Sequence, residues 1–163
     1  MDAEGIYRKS GGNSQIQHVK EGFEQSNDFD ISDPDLDINA VTSALKQYFR
    51  KLPTPLITYP VYDKLLDSTT MIDEQYRIIL MRSAINELPA RHRDCLEFLV
   101  FHLNKVAERE RENLMTSLNV AVVFAPTIMR PESIAREMSD TQAKNQAVQF
   151  LIENCHSIFL GED

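Results

Sequence analysis

A single arginine stands in a short glycine-flanked segment near the start of the chain. Arg8 lies between Gly5 and Gly11, and Ile6 and Tyr7 directly precede it. Glycine adopts backbone conformations closed to other residues, so we expect a loop that the apolar pair anchors while Arg8 points away. A planar, permanently charged guanidinium on a rigid loop is suited to binding or neutralising phosphate oxygens. Taken alone, the pattern is more typical of a solvated surface arginine.

Two cations are predicted to share one face of a later helix. Lys46 and Arg50 are four residues apart, so at about 100° per residue they lie together, opposite an apolar stripe. Like charges at this spacing weakly destabilise a helix, and no acidic residue between positions 42 and 60 offsets them. The pattern predicts an exposed cationic face for a negatively charged partner surface, or a solvated face that keeps the protein soluble. The opposite stripe consists of Val41, Leu45, Tyr48 and Leu52.

One side-chain amide interrupts the most apolar segment of the chain. Asn119 lies within residues 118–124, whose other members are all apolar, and a buried helix is predicted there. A buried amide needs hydrogen-bond partners, so Asn119 is predicted either to clasp neighbouring structure or to point at a ligand. Thr116 or Ser117 is expected to cap this helix, and Pro126 is expected to end it.

The composition is that of an acidic globular protein. The 163 residues carry a formal net charge of -8, which argues against a nucleic-acid partner. One domain is expected at this length. No apolar run approaches the length of a membrane span, and no signal peptide opens the chain. Cys95 and Cys155 fall in apolar helical patterns, so both are expected to be reduced core residues in a cytosolic setting.

Apolar residues repeat at helical spacing in the first half of the chain. One helix is predicted after Ser14, and a second is predicted to end at the proline-rich segment that follows Leu52. A third is predicted over residues 61–66, and a fourth begins after Asp73, which would cap it. The acidic segment 28–37 is predicted to form a loop. The apolar face of the helix after Asp73 is predicted to consist of Tyr76, Ile79, Leu80 and Ala84.

The second half of the chain is helical by the same test. The mixed-charge residues 108–112 are expected to form a solvated face or loop, and residues 130–139 an exposed loop. A last amphipathic helix is predicted from Asp140 or Thr141 as far as Phe159. The chain shows no strand alternation or internal repeat, so an all-α fold with one irregular helical bundle is predicted. Its most regular apolar stripe consists of Leu96, Leu99, Val100, Leu103 and Val106.

Three segments of the chain follow the order of signatures found in one known family. Residues 4–11, Glu-Gly-Ile-Tyr-Arg-Lys-Ser-Gly, resemble the arginine-finger loop of Rho GTPase-activating (RhoGAP) domains. Residues 41–56 resemble the second signature, a helix with a Lys-x-x-x-Arg pair that ends in Leu-Pro-x-Pro-Leu, and residues 115–127 resemble the third. The similarity extends to the last helix near Phe159. Ala125 stands where many members have glycine, a change that we expect the fold to tolerate.

This resemblance implies a GTPase activator that performs no catalysis alone. Arg8 would enter the active site of a Rho-family small GTPase in its GTP-bound form, and such fingers accelerate hydrolysis by ~10³–10⁵. Lys46 and Arg50 would orient the loop or bind the partner's switch region, and Asn119 would hold the switch or the loop. No cofactor and no metal of the chain's own are expected, because GTP and magnesium belong to the partner. The expected protein is a cytoplasmic monomer, recruited to membranes through its GTPase or adjoining domains.

The beginning of the chain departs from the family pattern. Members of the family generally carry a helix before the arginine loop, whereas here three residues precede Glu4. Residues 1–163 are therefore expected to form one RhoGAP domain that is N-terminally incomplete, with exposed apolar surface and a less firmly held Arg8. The alternative is a GTPase-binding or scaffold domain of the same fold with weak or no activating ability. A separate hydrolase or metal enzyme is disfavoured, because the histidines lack ligand spacing and no nucleophile elbow is present.

Overall fold

The structure is a computed structural model that describes residues 1–26 and 28–161. Every regular element in this part of the chain is helical, which confirms the predicted all-α bundle. None of the helices described is both long and apolar enough to cross a lipid bilayer. The helices are α1 (Asn13–Gln25), α2 (Ile38–Arg50), α3 (Tyr59–Ser68), α4 (Glu74–Asn86), α5 (Ala90–Ala107), α6 (Glu110–Asn113), α7 (Ser117–Ile128), α8 (Arg136–Ser139) and α9 (Thr141–Glu153), followed by a π-helical turn, His156–Leu160.

Helix α7 lies at the centre of the bundle. It packs most extensively against α9, and α2 and α5 lie against it as well. Phe124 of α7 and Leu151 of α9 are fully buried in this core. The stripe predicted on α5 is confirmed, since all five of its residues are buried. Each such side chain contributes about 1.5–3 kcal/mol by leaving water, so the regular stripe secures the position of α5.

A second, smaller apolar cluster joins α1 to α2. It consists of Ile16 and Val19 from α1 and Ala40 and Ala44 from α2. Small residues on α2 let the two helices approach closely at this point. The connection from the Arg8 segment enters the same junction, where the backbone N–H of Gly11 donates to Ser43 Oγ at 3.1 Å.

Two predicted helix caps are confirmed. The Asp73 carboxylate accepts a hydrogen bond from the backbone N–H of Tyr76 at 2.9 Å, at the start of α4. Thr116 Oγ1 accepts from the backbone N–H of Asn119 at 3.1 Å, at the start of α7. Each cap satisfies an N–H that has no partner within its helix, so both starts were readable from local sequence.

The predicted inward face of α4 is wrong in part. Tyr76 and Ile79 are exposed, whereas Ile78 and Met81 are buried with Ala84. Apolar residues occur on both sides of this helix, so their spacing did not determine which side faces the core. Packing against α3 and the π-helical turn determines it.

Pro126 does not end α7, contrary to the prediction. The helix continues to Ile128, and the backbone N–H of Met129 still donates to the carbonyl of Ala125. Proline removes the hydrogen bond to the carbonyl four residues earlier. That residue is Val122, which lies on the exposed side of α7 where water can replace the missing donor.

Two further expectations are corrected by the packing. Residues 130–139 are largely exposed, as predicted, but they include the short helix α8. Cys155 is buried as expected, whereas Cys95 is exposed. Cys95 lies on α5 beside the buried stripe and faces outward, so an apolar neighbourhood in sequence did not imply burial.

Candidate functional site

Residues 4–11, which we call the Arg8 loop, form a compact turn. The backbone N–H groups of Arg8 and Lys9 both donate to the carbonyl of Gly5 at 2.9 Å. Gly5 has φ of 69°, a left-handed conformation that glycine adopts without steric cost. Its own N–H donates to the backbone carbonyl of Asn113 at 2.7 Å, which fastens the loop to the end of α6.

The prediction that the apolar pair anchors the loop while Arg8 points away is confirmed. Ile6 and Tyr7 are buried in the main core, and Arg8 is exposed. Tyr7 makes edge-on contacts with the rings of Phe124 and His102, at centroid distances of 5.0 and 5.7 Å. The guanidinium of Arg8 therefore projects from a backbone whose preceding residues are held inside the protein.

Lys46 is not on an exposed face, contrary to the prediction. Its side chain is buried, with 7% of the residue accessible, and its ammonium donates to the backbone carbonyl of Tyr7. The long aliphatic stem fills apolar space while the charged end reaches a strong acceptor. Burial, and secondarily the charge of Arg50, lower the pKa of Lys46. The structure thus places this lysine under the Arg8 loop.

Arg50 is exposed but also turned toward the bundle. Its Nε donates to Thr127 Oγ1 of α7 at 3.3 Å. Tyr48, predicted to lie on the buried stripe, is 61% exposed. Helix α2 packs on α1 with one side and on α7 with another, so the side that carries Lys46 and Arg50 is covered in part. The predicted opposition of charged and apolar faces is therefore wrong for this helix.

Asn119 is exposed, which contradicts the prediction of a buried amide. Its Nδ2 donates to the carbonyl of Leu114 at 3.4 Å. Leu118 and Val122 lie beside it and are 47% and 48% exposed. Because α2, α5 and α9 cover the other sides of α7, one apolar face remains open to solvent. We call Leu118, Asn119 and Val122 the α7 face.

The structure connects the predicted site residues through a short series of contacts. Lys46 bonds to the residue before Arg8, and Arg50 lies one helical turn further along α2. Asn119 bonds to Leu114, the residue after the one that holds Gly5. The predicted residues thus form one region, although Lys46 lies inside it and the other three are exposed.

A further positive charge adjoins this region at the end of α2. Lys51 is exposed, and the neighbouring Lys20 of α1 is the main cause that lowers the pKa of Lys51. Two ammonium groups therefore face each other beside Arg50. The chain as a whole has a negative net charge, whereas this end of the molecule carries a cluster of positively charged side chains.

Asn113 is a site residue that the sequence analysis missed. It is fully buried, its Nδ2 donates to the carbonyl of Val106 at 2.8 Å, and its Oδ1 accepts from the backbone N–H of Met115 at 2.8 Å. Its backbone carbonyl holds Gly5. Asn113 follows directly on the charged residues 108–112, and that polar setting masked its burial. His102, which bonds to Tyr7, was not predicted either, because a lone histidine on a helix gives no local signal of a partner 95 positions away.

Comparison with known proteins identifies close relatives of this sequence. The RhoGAP domain profile matches residues 1–133. The chain is 39% identical over 159 residues to the Probable Rho-type GTPase-activating protein 4 of Schizosaccharomyces pombe, covering 98% of this chain and 17% of that protein. It is 39% identical over 163 residues to N-chimaerin of Homo sapiens, covering 98% of this chain and 36% of that protein.

Solved structures show the same architecture. Human Rho GTPase activating protein 15 superposes with a TM-score of 0.90 at 31% identity, over 97% of this chain and 76% of that one. The BH domain from GRAF, the GTPase regulator associated with focal adhesion kinase, gives 0.85 at 33% identity, over 98% of this chain and 85% of that one. The arginine loop, the fold and these similarities agree, and the chain belongs to the RhoGAP domain family.

Proposed function

We propose that this chain accelerates GTP hydrolysis by a Rho-family small GTPase, in its GTP-bound form, by inserting Arg8 into the partner's active site. One observation carries the proposal: Arg8 is exposed, whereas the tyrosine before it is buried and bonded through its backbone carbonyl. A mobile arginine would lose conformational freedom on insertion. A loop that is already ordered loses less, so more of the interaction is available to lower the barrier.

The chemistry requires a positive charge that arrives from outside the GTPase. Negative charge on the phosphate oxygens must be stabilised as the γ-phosphoryl group is transferred to water, and an arginine supplied in trans stabilises it. The guanidinium of Arg8 offers a planar fork of donors for this purpose. The nucleotide and its magnesium ion remain on the partner, so the chain itself needs no cofactor. In this proposal the chain acts as a monomer that completes the active site of another protein.

The surface around Arg8 supports docking of a protein partner. The α7 face exposes two apolar residues around the amide of Asn119, and Arg50 of α2 bonds to Thr127 of the same helix α7. An apolar patch with polar residues at its edge is typical of a protein interface. In this proposal Asn119 and Arg50 contact the switch region of the partner, and Lys46 supports the loop from within.

Single-turnover GTP hydrolysis by several purified Rho-type GTPases, with and without this chain, tests the proposal. The wild-type chain is expected to accelerate hydrolysis for at least one of them, and Arg8→Ala is expected to abolish the acceleration. Affinity for the GTP-bound partner should fall much less, because the finger acts mainly on charge in the transition state. Lys64→Ala is the control: this cation of α3 lies outside the Arg8 loop, is exposed and pairs with Glu87, so its loss should change the rate little.

The outcomes separate activation from simple binding. A wild-type chain that binds the GTP-bound partner without accelerating hydrolysis would establish the scaffold alternative. Acceleration by Arg8→Ala at a tenth or more of the wild-type rate would exclude Arg8 as the finger. Arg8→Lys should also fail, because an ammonium group cannot reproduce the guanidinium fork.

A further inference from the structure

We propose that Tyr7 and His102 are positioning residues for Arg8, acting through the hydrogen bond between the Tyr7 hydroxyl and His102 Nε2. The bond joins the loop to α5 at 2.6 Å, across 95 positions of sequence. The inference rests on the proposed function and adds to it a specific device that sets the direction of the finger. Neither residue need touch the partner for this purpose.

The backbone of Tyr7 is the first reason for the inference. Its φ is 69°, in the left-handed region, where a bulky non-glycine residue is strained. Such strain persists only where the surroundings over-determine the conformation, and it is concentrated at functional sites. Arg8 is attached directly to this residue. Relaxation of Tyr7 toward an ordinary conformation would therefore change the direction in which Arg8 leaves the loop.

Three contacts hold Tyr7 in that conformation, and each comes from a different helix. Lys46 of α2 donates to its carbonyl, the ring of Phe124 in α7 packs against its ring, and His102 of α5 bonds to its hydroxyl. The first two contacts would also form with phenylalanine at position 7. The third needs the hydroxyl, so it isolates what tyrosine adds at this position.

His102 is suited to accept this hydrogen bond. The residue is partly buried on α5, and its ring lies edge-on to that of Tyr7. Burial lowers the pKa of His102 below its usual 6.5, so the ring is neutral near pH 7 and one nitrogen can accept. Burial also raises the pKa of Tyr7 to about 12, so the phenol keeps its proton and can donate. The two shifts favour the same hydrogen bond.

The test compares two tyrosine-to-phenylalanine variants in the intact chain. Tyr7→Phe should lower the maximal rate of accelerated GTP hydrolysis about three- to tenfold, the loss expected for one hydrogen bond, and leave the half-saturating concentration unchanged. Tyr62→Phe is the matched control, because it removes a buried tyrosine's bond to Asp140 at 2.8 Å, between α3 and the start of α9. It should lower thermal stability at least as much as Tyr7→Phe and leave the maximal rate at the wild-type value.

A double-mutant cycle shows whether the two residues act through one bond. His102→Leu removes the acceptor, so it should lower the maximal rate as Tyr7→Phe does, and the double variant should be no slower than the slower single variant. Amide hydrogen exchange gives a reading that needs no GTPase. Tyr7→Phe should speed the exchange of the Arg8 and Lys9 amides, which both bond to Gly5, and Tyr62→Phe should not.

The outcomes distinguish this inference from the proposed function. If the wild-type chain accelerates hydrolysis and Tyr7→Phe matches it in maximal rate, positioning by the hydroxyl is overturned and the finger stands. Independent, multiplicative effects of Tyr7→Phe and His102→Leu would also overturn it. If the wild-type chain accelerates no GTPase, the proposed function fails, and this inference fails with it.

Discussion

The ammonium of Lys46 donates a hydrogen bond to the backbone carbonyl of Tyr7, 39 residues earlier in the chain. The lysine is buried, so it stabilises the Arg8 loop from the protein side and is not free to meet a partner. A buried charge is tolerated only where polar partners offset its loss of water. The carbonyl before Arg8 is such a partner, so loop and lysine depend on each other.

Replacing Lys46 by methionine should therefore destabilise the fold as well as lower activation. Lys46→Met keeps most of the aliphatic stem and removes the ammonium, which leaves the Tyr7 carbonyl without its donor. The free energy of unfolding should fall by about 1–3 kcal/mol, the usual cost of leaving a buried carbonyl without a donor. Urea unfolding measures it. Lys51→Met serves as the control: that exposed lysine faces Lys20, so stability should be unchanged or slightly higher. Equal midpoints for Lys46→Met and wild type would show that the bond contributes nothing.

Alanine substitution at two adjacent glycines should have very different effects. A Cβ on Gly11 would lie 2.6 Å from both the backbone nitrogen and the Cα of Ala40, and backbone atoms there cannot move aside as a flexible side chain would. Gly11→Ala should therefore open the junction of α1 and α2 and destabilise the protein by about 1–3 kcal/mol. A Cβ on Gly12 would meet no atom within 4 Å. Because Gly12 is the N-cap of α1, its replacement by alanine should lower stability by at most about 1 kcal/mol. Thermal unfolding of the two variants measures the difference, and similar melting temperatures would contradict the close approach.

Alanine substitution of two valines on α7 should distinguish residues that bind the partner from residues that stabilise the core. Val122 is 48% exposed on the α7 face, whereas Val120 is fully buried. Val122→Ala should change the free energy of unfolding by less than about 0.5 kcal/mol and weaken binding to the GTP-bound partner. Val120→Ala should lower stability by more than about 1 kcal/mol and leave the affinity of the folded fraction unchanged. Asn119→Ala is expected to behave like Val122→Ala. Isothermal titration beside urea unfolding distinguishes these patterns, and full affinity in both α7-face variants would place the interface elsewhere.

Acid should destabilise the protein partly through His102. Burial lowers the pKa of this histidine in the folded state below 6.5, so between the two pKa values the unfolded chain binds more protons. Its contribution to stability is therefore full above about pH 6.5 and is lost as the pH falls through the folded-state pKa. Wild-type and His102→Gln proteins should be compared by urea unfolding from pH 7.5 to pH 5. The wild-type protein should lose more stability over that range, and parallel curves would show that His102 titrates alike in both states.

Local sequence determined the features that depend on neighbouring residues alone. The five-residue stripe of α5 was predictable because apolar residues at helical spacing must be buried on one side. Asp73 and Thr116 were identifiable as caps because short oxygen-bearing side chains satisfy the first N–H groups of a helix. The burial of Ile6 and Tyr7 before an exposed Arg8 followed from the contrast of apolar and charged types around glycine. These inferences need no knowledge of distant residues.

Tertiary structure decided the orientation of Lys46 and Asn119, and it reversed both predictions. The type of a residue determines the free-energy cost of burying its polar group, but it does not show whether a hydrogen-bond partner in the folded protein offsets that cost. For Lys46 the partner is the Tyr7 carbonyl, which only the folded chain brings to it. For Asn119 the apolar residues around it imply burial, yet α7 has more apolar surface than its neighbouring helices cover. Hydrogen-bond partners distant in sequence and the number of faces that a helix buries are properties of the assembled bundle, so local sequence patterns do not reveal them.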